Sequence, residues 1–247
     1  MLTELYFKNM KTVLEKIETT QIKAIHKSAE MIVRCLENGG IWHLLDTGHM
    51  LMYEAVGRTG GMMAVRPVRV MVDVSNPVRY READVTKSKV YMDEIEGFPD
   101  FIIKKSNMQH GDVLMIGSVS GINVLPVEMA ICAHKIGLTV IGLTSVEYSE
   151  FLESKHKSNK KLHEVCDVVL DVCCGIGDTL VHVEELDQEM CPASGIAASY
   201  IMWALQARVV ERLLEDGKKP RIYISNHMPG AGKHNSMAWA EYEKVGY

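Results

Sequence analysis

The stretch GDVLMIGSVSGINVLPVEMAICA, Gly111 to Ala133, decides how the chain is read. Val113–Ile116 is a short apolar run, as a buried strand requires. Gly117-Ser118-Val119-Ser120-Gly121 is small and rich in hydroxyls. Asn123 to His134 reads as a helix. Asn123 can cap it, Pro126 falls in its first turn and Glu128 suits its positive end. Two readings fit a strand, a small-residue loop and a helix start in that order. One is an ordinary βα turn. The other is an anion site, because free backbone N–H groups and two hydroxyls can converge on a phosphate.

The same alternation continues outward. Residues 2–38 have a helical period, with Thr19-Thr20 separating two helices and Gly39-Gly40 ending the second. Such a pair is either an arm at a subunit interface or packed on its own domain. Ile41–Leu45 reads as the first strand and Asp46-Thr47-Gly48-His49 as a tight turn. Met50–Arg58 reads as a helix stopped by Gly60-Gly61, and Met63–Val74 as a strand interrupted at Pro67. Residues 75–89 are polar and turn-prone, and Met92–Gly97 and Phe98–Asn107 read as short helices. Beyond the central unit, strands are expected at Leu138–Leu143, Val165–Asp171, Leu180–Val183 and Arg221–Ser225. Helices are expected over Ala193–Leu214 and His234–Lys244.

A helix pair followed by about five β/α alternations predicts an α/β fold, a three-layer αβα sandwich with a five-stranded parallel sheet. No linker divides it, so residues 1–247 are expected to form one domain, with 1–38 as a helical arm and 39–247 as the α/β core. Ligands of such folds bind at the C-terminal ends of strands. That edge would carry Asp46–His49, Ser118–Asn123, Thr144–Ser145 and the segment after Asp171.

Composition narrows the function. Apolar residues make up 47% of the chain, enough for a sizeable core. A net charge of −5 argues against nucleic acid or a membrane surface as partner. The N-terminus has no continuous apolar core of a signal peptide, and the nearest apolar run, Ala193–Leu205, is followed by Gln206 and Arg208. The six cysteines contain no CxxC spacing. Reduced, buried thiols in a cytoplasmic protein are therefore expected.

These edge segments resemble the sugar isomerase (SIS) domain, the phosphosugar-binding fold of many sugar-phosphate isomerases. Gly117 to Asn123 is similar to the family's Ser-x-Ser-Gly phosphate loop. Leu143-Thr144-Ser145 follows the next strand, and Pro192-Ala193-Ser194 resembles a late Pro-x-Ser helix start. A bacterial branch of the family is closer still. It has a Gly-x-Gly-His first loop, a Ser-Gly-x-Asn-x-x-Pro-x-Glu-Met-Ala second loop and a late segment ending in His-Asn. The counterparts here are Asp46-Thr47-Gly48-His49, residues 120–130, and Asn226 through His234-Asn235. The first loop departs from that pattern. Met50 stands where the branch has serine, and Asp46 puts a negative charge beside the proposed anion.

The resemblance implies a flavodoxin-like SIS fold, a sugar-phosphate ligand and a homodimer or homotetramer. It implies a phosphate and sugar site formed by Gly48, His49, Ser118, Ser120, Gly121, Asn123, Thr144 and Ser145. Aldose–ketose isomerisation through an enediol needs a base, a group that opens the ring and oxyanion donors. Glu54 follows the first loop much as a family glutamate does and is the expected base, against the plainer reading of a surface glutamate. His227 and His234 frame the Gly-rich turn HMPGAGKH and suit ring opening near neutral pH, or are surface histidines. His43 lies in an apolar strand as a core histidine would. Lys155–Lys161 is a basic island, either a solvated loop or a source of phosphate-binding Lys160 or Lys161. His182 and Glu184 alternate along the expected strand, a spacing open to metal ligation, but no HExxH-like signal is present, so neither metal nor cofactor is expected. Non-catalytic phosphosugar binding and phosphosugar lyase or etherase chemistry are the alternatives.

Overall fold

The computed structural model describes residues 1–72 and 91–247. The loop expected at 75–89 and the end of the strand expected over Met63–Val74 lie outside the described residues. Five strands form one sheet: β1 Trp42–Asp46, β2 Val65–Pro67, β3 Val113–Gly117, β4 Thr139–Thr144 and β5 Val168–Asp171. All pairs are parallel, in the order β2-β1-β3-β4-β5. The chain leaves β1 towards β2 on one side and resumes with β3 on the other. The strand order therefore reverses between β1 and β3, the place where ligands of such sheets bind beyond the C-terminal strand ends.

Both sheet faces are covered, which explains why the strands read as unbroken apolar runs. The helices are α1 Leu2–Thr20, α2 Ile22–Glu37, α3 Phe98–Lys105, α4 Val124–Lys135, α5 Val146–Phe151, α6 Ser194–Glu215 and α7 Ala231–Val245. Trp42, Leu44, Val113 and Met115 point to one face and pack with Ile17, Ile32, Ala197 and Ile201 of α1, α2 and α6. Leu45, Leu114, Ile116 and Val140 point to the other and pack with Ile102, Met129 and Ala133 of α3 and α4. Each such side chain contributes roughly 1.5–3 kcal/mol of burial. The sheet between two helical layers is the expected αβα sandwich.

The helix pair divides at Gln21, one residue past Thr19-Thr20. Its Oε1 accepts the Asp171 N–H at 2.9 Å, and Asn9 Nδ2 donates to the Leu180 carbonyl at 2.6 Å. The pair is thus fastened to its own core along most of its length.

Three expected elements are corrected. Met50–Arg58 is a series of turns, not a helix. The Leu51 N–H is taken by the Asp46 carboxylate, and Gly57 and Gly60 adopt left-handed φ values of +68° and +82°. Leu180–Val183 is not a strand of the sheet, since Val181 bridges only to Met190 in a local antiparallel excursion. Arg221–Ser225 also stays outside the sheet. It lies antiparallel to Gly60–Met63, with the Met62–Ile222 bridge at its centre. The Gly60 and Met63 N–H groups donate to the Tyr223 and Arg221 carbonyls. Its partner is an irregular connection, so no ladder grows.

Candidate functional site

The loop from Gly117 to Asn123 leaves β3 at the strand-order reversal and enters α4. Gly121 makes the turn at φ +63°, and Asn123, at φ −71° and ψ 158°, has the extended backbone of an N-cap. The loop is pinned by its carbonyls. Gly117 O accepts from the Thr47 N–H and hydroxyl. Val119 O accepts from the Ser145 N–H and the Thr144 hydroxyl. Gly121 O and Ile122 O accept from the N–H groups of Leu162 and Lys155. Ser118 donates its own N–H to the Leu143 carbonyl.

The donors of the loop are left over. Among the described residues, the N–H groups of Val119, Ser120, Gly121 and Ile122 and the hydroxyls of Ser118 and Ser120 make no hydrogen bond. Val124 and Leu125 add the N–H groups that any helix leaves without intrahelical acceptors in its first turn, and Pro126 there has none to leave. With four of its carbonyls engaged and four consecutive N–H groups free, the loop can take an anion.

On the other donor-bearing edges, aspartates take part of the backbone donors. In the first loop, Asp46 Oδ1 accepts the Gly48 N–H at 3.1 Å and Oδ2 the Leu51 N–H at 2.6 Å. Beyond β4, Asp171 Oδ1 accepts the N–H groups of Val146 and Cys173. At the start of α6, Asp178 accepts the Ala193 and Ser194 N–H groups and, at 2.6 Å, the Ser194 hydroxyl. These internal carboxylates already occupy the ends that an anion would otherwise seek.

Gly48, His49, Ser118, Ser120, Gly121 and Asn123 lie on the two loops that meet across β1 and β3. Thr144 and Ser145 support them from beneath. Both are wholly buried, and the Ser145 hydroxyl bridges the Cys174 carbonyl at 2.5 Å and the Tyr148 N–H at 3.3 Å. Glu54 follows the first loop on a turn, half-exposed, with Oε2 3.2 Å from Arg58 Nε. His227 and His234 do not join the cluster. His234 is exposed in a groove with Pro220, Arg221, Ile222 and Met237, on the segment that pairs with Gly60–Met63 ahead of β2. His43 is the core histidine expected, with Nε2 3.0 Å from Asp112 Oδ2.

The basic island forms a strap over the loop. Lys155 and Lys157 pair with Glu94 and Glu96 at 3.3 and 3.2 Å, and Lys157 reaches Glu128 at 3.9 Å. Glu128 Oε2 also accepts the Gly97 N–H. Lys161 Nζ donates to the Glu150 carbonyl. The strap therefore meets acids on one side and the Gly121 and Ile122 carbonyls on the other. Sequence reasoning missed the roles of Asp171 and Asp178, whose only signal is their position at the end of β5 and ahead of α6. Among the described residues, no cluster of three or more His, Cys, Asp or Glu side chains could hold a metal ion. None of their helices is long and apolar enough to cross a membrane, and all six cysteines are free.

Comparison with known proteins gives concordant matches. Residues 5–145 match the family model described as SIS domain. Two UPF0309 proteins of Halalkalibacterium halodurans are 30% and 31% identical to this chain over 241 residues each. Both alignments take in 97% of this chain, with 94% of the first relative and 97% of the second. Among solved structures, a phosphoheptose isomerase from Neisseria gonorrhoeae aligns over 84% of this chain and 94% of its own, at 16% identity and a TM-score of 0.48.

Proposed function

Because this chain belongs to the SIS domain family, we propose that it binds a sugar phosphate and interconverts its aldose and ketose forms through an enediol. One observation carries the binding half. At the strand-order reversal, the N–H groups of Val119, Ser120, Gly121 and Ile122 and the hydroxyls of Ser118 and Ser120 are left free, while aspartates take donors on the neighbouring edges. In this reading Ser118, Ser120, Gly121 and Asn123 hold the phosphate. Gly48 and His49 face the sugar, and Thr144 and Ser145 brace the loop.

The chemical half rests on Glu54. Released from Arg58, its carboxylate takes the proton from the hydroxyl-bearing carbon beside the carbonyl and delivers it to the former carbonyl carbon, while the hydroxyl proton passes to the former carbonyl oxygen, so no net proton is gained or lost. Ring opening falls to His227 or His234 supplied by a second copy in a homodimer or homotetramer, since within one chain both stand apart from the loops. The Glu54–Arg58 pair favours a second reading, binding without turnover. Incubation with hexose and amino-sugar 6-phosphates in deuterated water separates the two. Deuterium entering at C2, and lost in Glu54→Gln, supports the isomerase. Binding with no exchange from any sugar refutes it and leaves a binding protein.

A further inference from the structure

Asp46 and Gly117 are register partners at the ends of β1 and β3. A Cβ on Gly117 would stand 3.2 Å from Asp46 Oδ1, so the carboxylate lies against the residue preceding Ser118. Two backbone N–H groups hold it. Among the described residues, no lysine, arginine or histidine forms an ion pair with it. The ends of β1 and β3 thus present two opposite characters side by side: the free N–H groups of Val119, Ser120, Gly121 and Ile122, and an unneutralised carboxylate on the adjacent strand. Two anions at neighbouring-strand spacing repel, whereas an anion on the donors and a cation on the carboxylate are both attracted.

Resting on the phosphosugar reading, we propose that Asp46 is a specificity-determining residue that selects a sugar phosphate carrying a protonated amine. The phosphate sits on the loop after β3 and the ammonium faces Asp46, whose oxygens have lone pairs beyond those used by Gly48 and Leu51. An amine in place of a hydroxyl converts a neutral contact to a charge-assisted one, which is roughly twice as strong.

The test is titration of glucosamine 6-phosphate and glucose 6-phosphate into the full chain, its Asp46→Asn variant and its Ser120→Asp variant. The wild type is expected to bind the amino sugar about fivefold to tenfold more tightly, a ratio that shrinks as salt is raised. Asp46→Asn, which keeps an acceptor for the loop, is expected to bring the two affinities within about twofold. A wild-type ratio near one, insensitive to salt, overturns the role of Asp46 without reference to any variant. An unchanged ratio in a folded Asp46→Asn protein does the same. Ser120→Asp should abolish binding of both sugars. If both still bind, the phosphate site itself is misplaced, a failure distinct from that of Asp46.

Discussion

Gly121 is fitted against Thr144: a Cβ on Gly121 would stand 2.8 Å from Thr144 Oγ1 and 3.1 Å from Leu162 Cβ. The Thr144 hydroxyl cannot swing away freely, because it donates to the Val119 carbonyl within the same loop. Gly121 also has φ +63°, where a side chain is strained whatever the space. Gly121→Ala is therefore expected to lower stability by about 2–3 kcal/mol and to weaken phosphosugar binding by loosening the loop. Urea unfolding and ligand titration of the variant check this. An unchanged midpoint would mean the loop does not pack on β4 as described.

Ser120 and Ser145 separate binding from bracing. Ser145 is wholly buried and its hydroxyl serves the Cys174 carbonyl and the Tyr148 N–H. Ser145→Ala should cost about 1–3 kcal/mol, since a buried partner is left unsatisfied, while affinity for a sugar phosphate stays within about twofold. Ser120→Ala should do the reverse, weakening binding with the melting temperature unchanged. Equal loss of affinity in both variants would return Ser145 to the ligand.

Asp112 is a hub beneath the sheet. Its Oδ1 accepts the Ile41 N–H at 2.8 Å, and its Oδ2 accepts the Gln109 N–H at 2.9 Å and meets His43 Nε2 at 3.0 Å. Asp112 is 4% exposed and His43 8%, so that side-chain pair has no water as a substitute. Asp112→Ala is expected to cost about 3–5 kcal/mol by orphaning all of them, and Asp112→Asn clearly less. Denaturant unfolding of the two variants decides it. Equal, small losses would show that the hub is not closed.

The buried thiols set an alkaline limit. Burial, as the largest cause, raises the Cys35 thiol from 9.0 to about 12 despite a favourable hydrogen bond from the Val113 backbone. Burial likewise pushes Cys174 upward. In the unfolded chain these thiols ionise from about pH 9, so the unfolded state loses protons first. Their contribution to stability is then full below pH 9 and is lost as pH rises towards 12. Cys35→Ala should flatten the fall of unfolding free energy across that window, and the native thiol should resist alkylation at neutral pH. Prompt labelling of folded protein would contradict the burial.

Much of the fold was legible from residue order. Short apolar runs bounded by glycine or threonine placed β1, β3, β4 and β5 to within a few residues, because strands covered on both faces carry no polar interruption. Pro67, read as an interruption within Met63–Val74, is the last residue of β2, where a missing N–H is tolerable on an edge strand. The failures share one cause. Met50–Arg58 has helical composition, yet a carboxylate from the preceding strand takes the N–H of Leu51. Arg221–Ser225 has strand composition, yet it meets an irregular segment instead of a sheet edge. Local preference is overridden wherever a distant group offers a hydrogen bond.

The loop Gly117–Asn123 shows the same division. By itself the sequence determined that a strand, a small hydroxyl-rich turn and a capped helix occur there, since periodicity and cap residues are local properties. Which donors remain for a ligand was decided only by tertiary structure. That depends on which carbonyls and carboxylates from other strands arrive beside them. Asp46, Asp171 and Asp178 each take two backbone donors at the other edges, whereas the N–H groups of Val119 to Ile122 in the loop after β3 are left open.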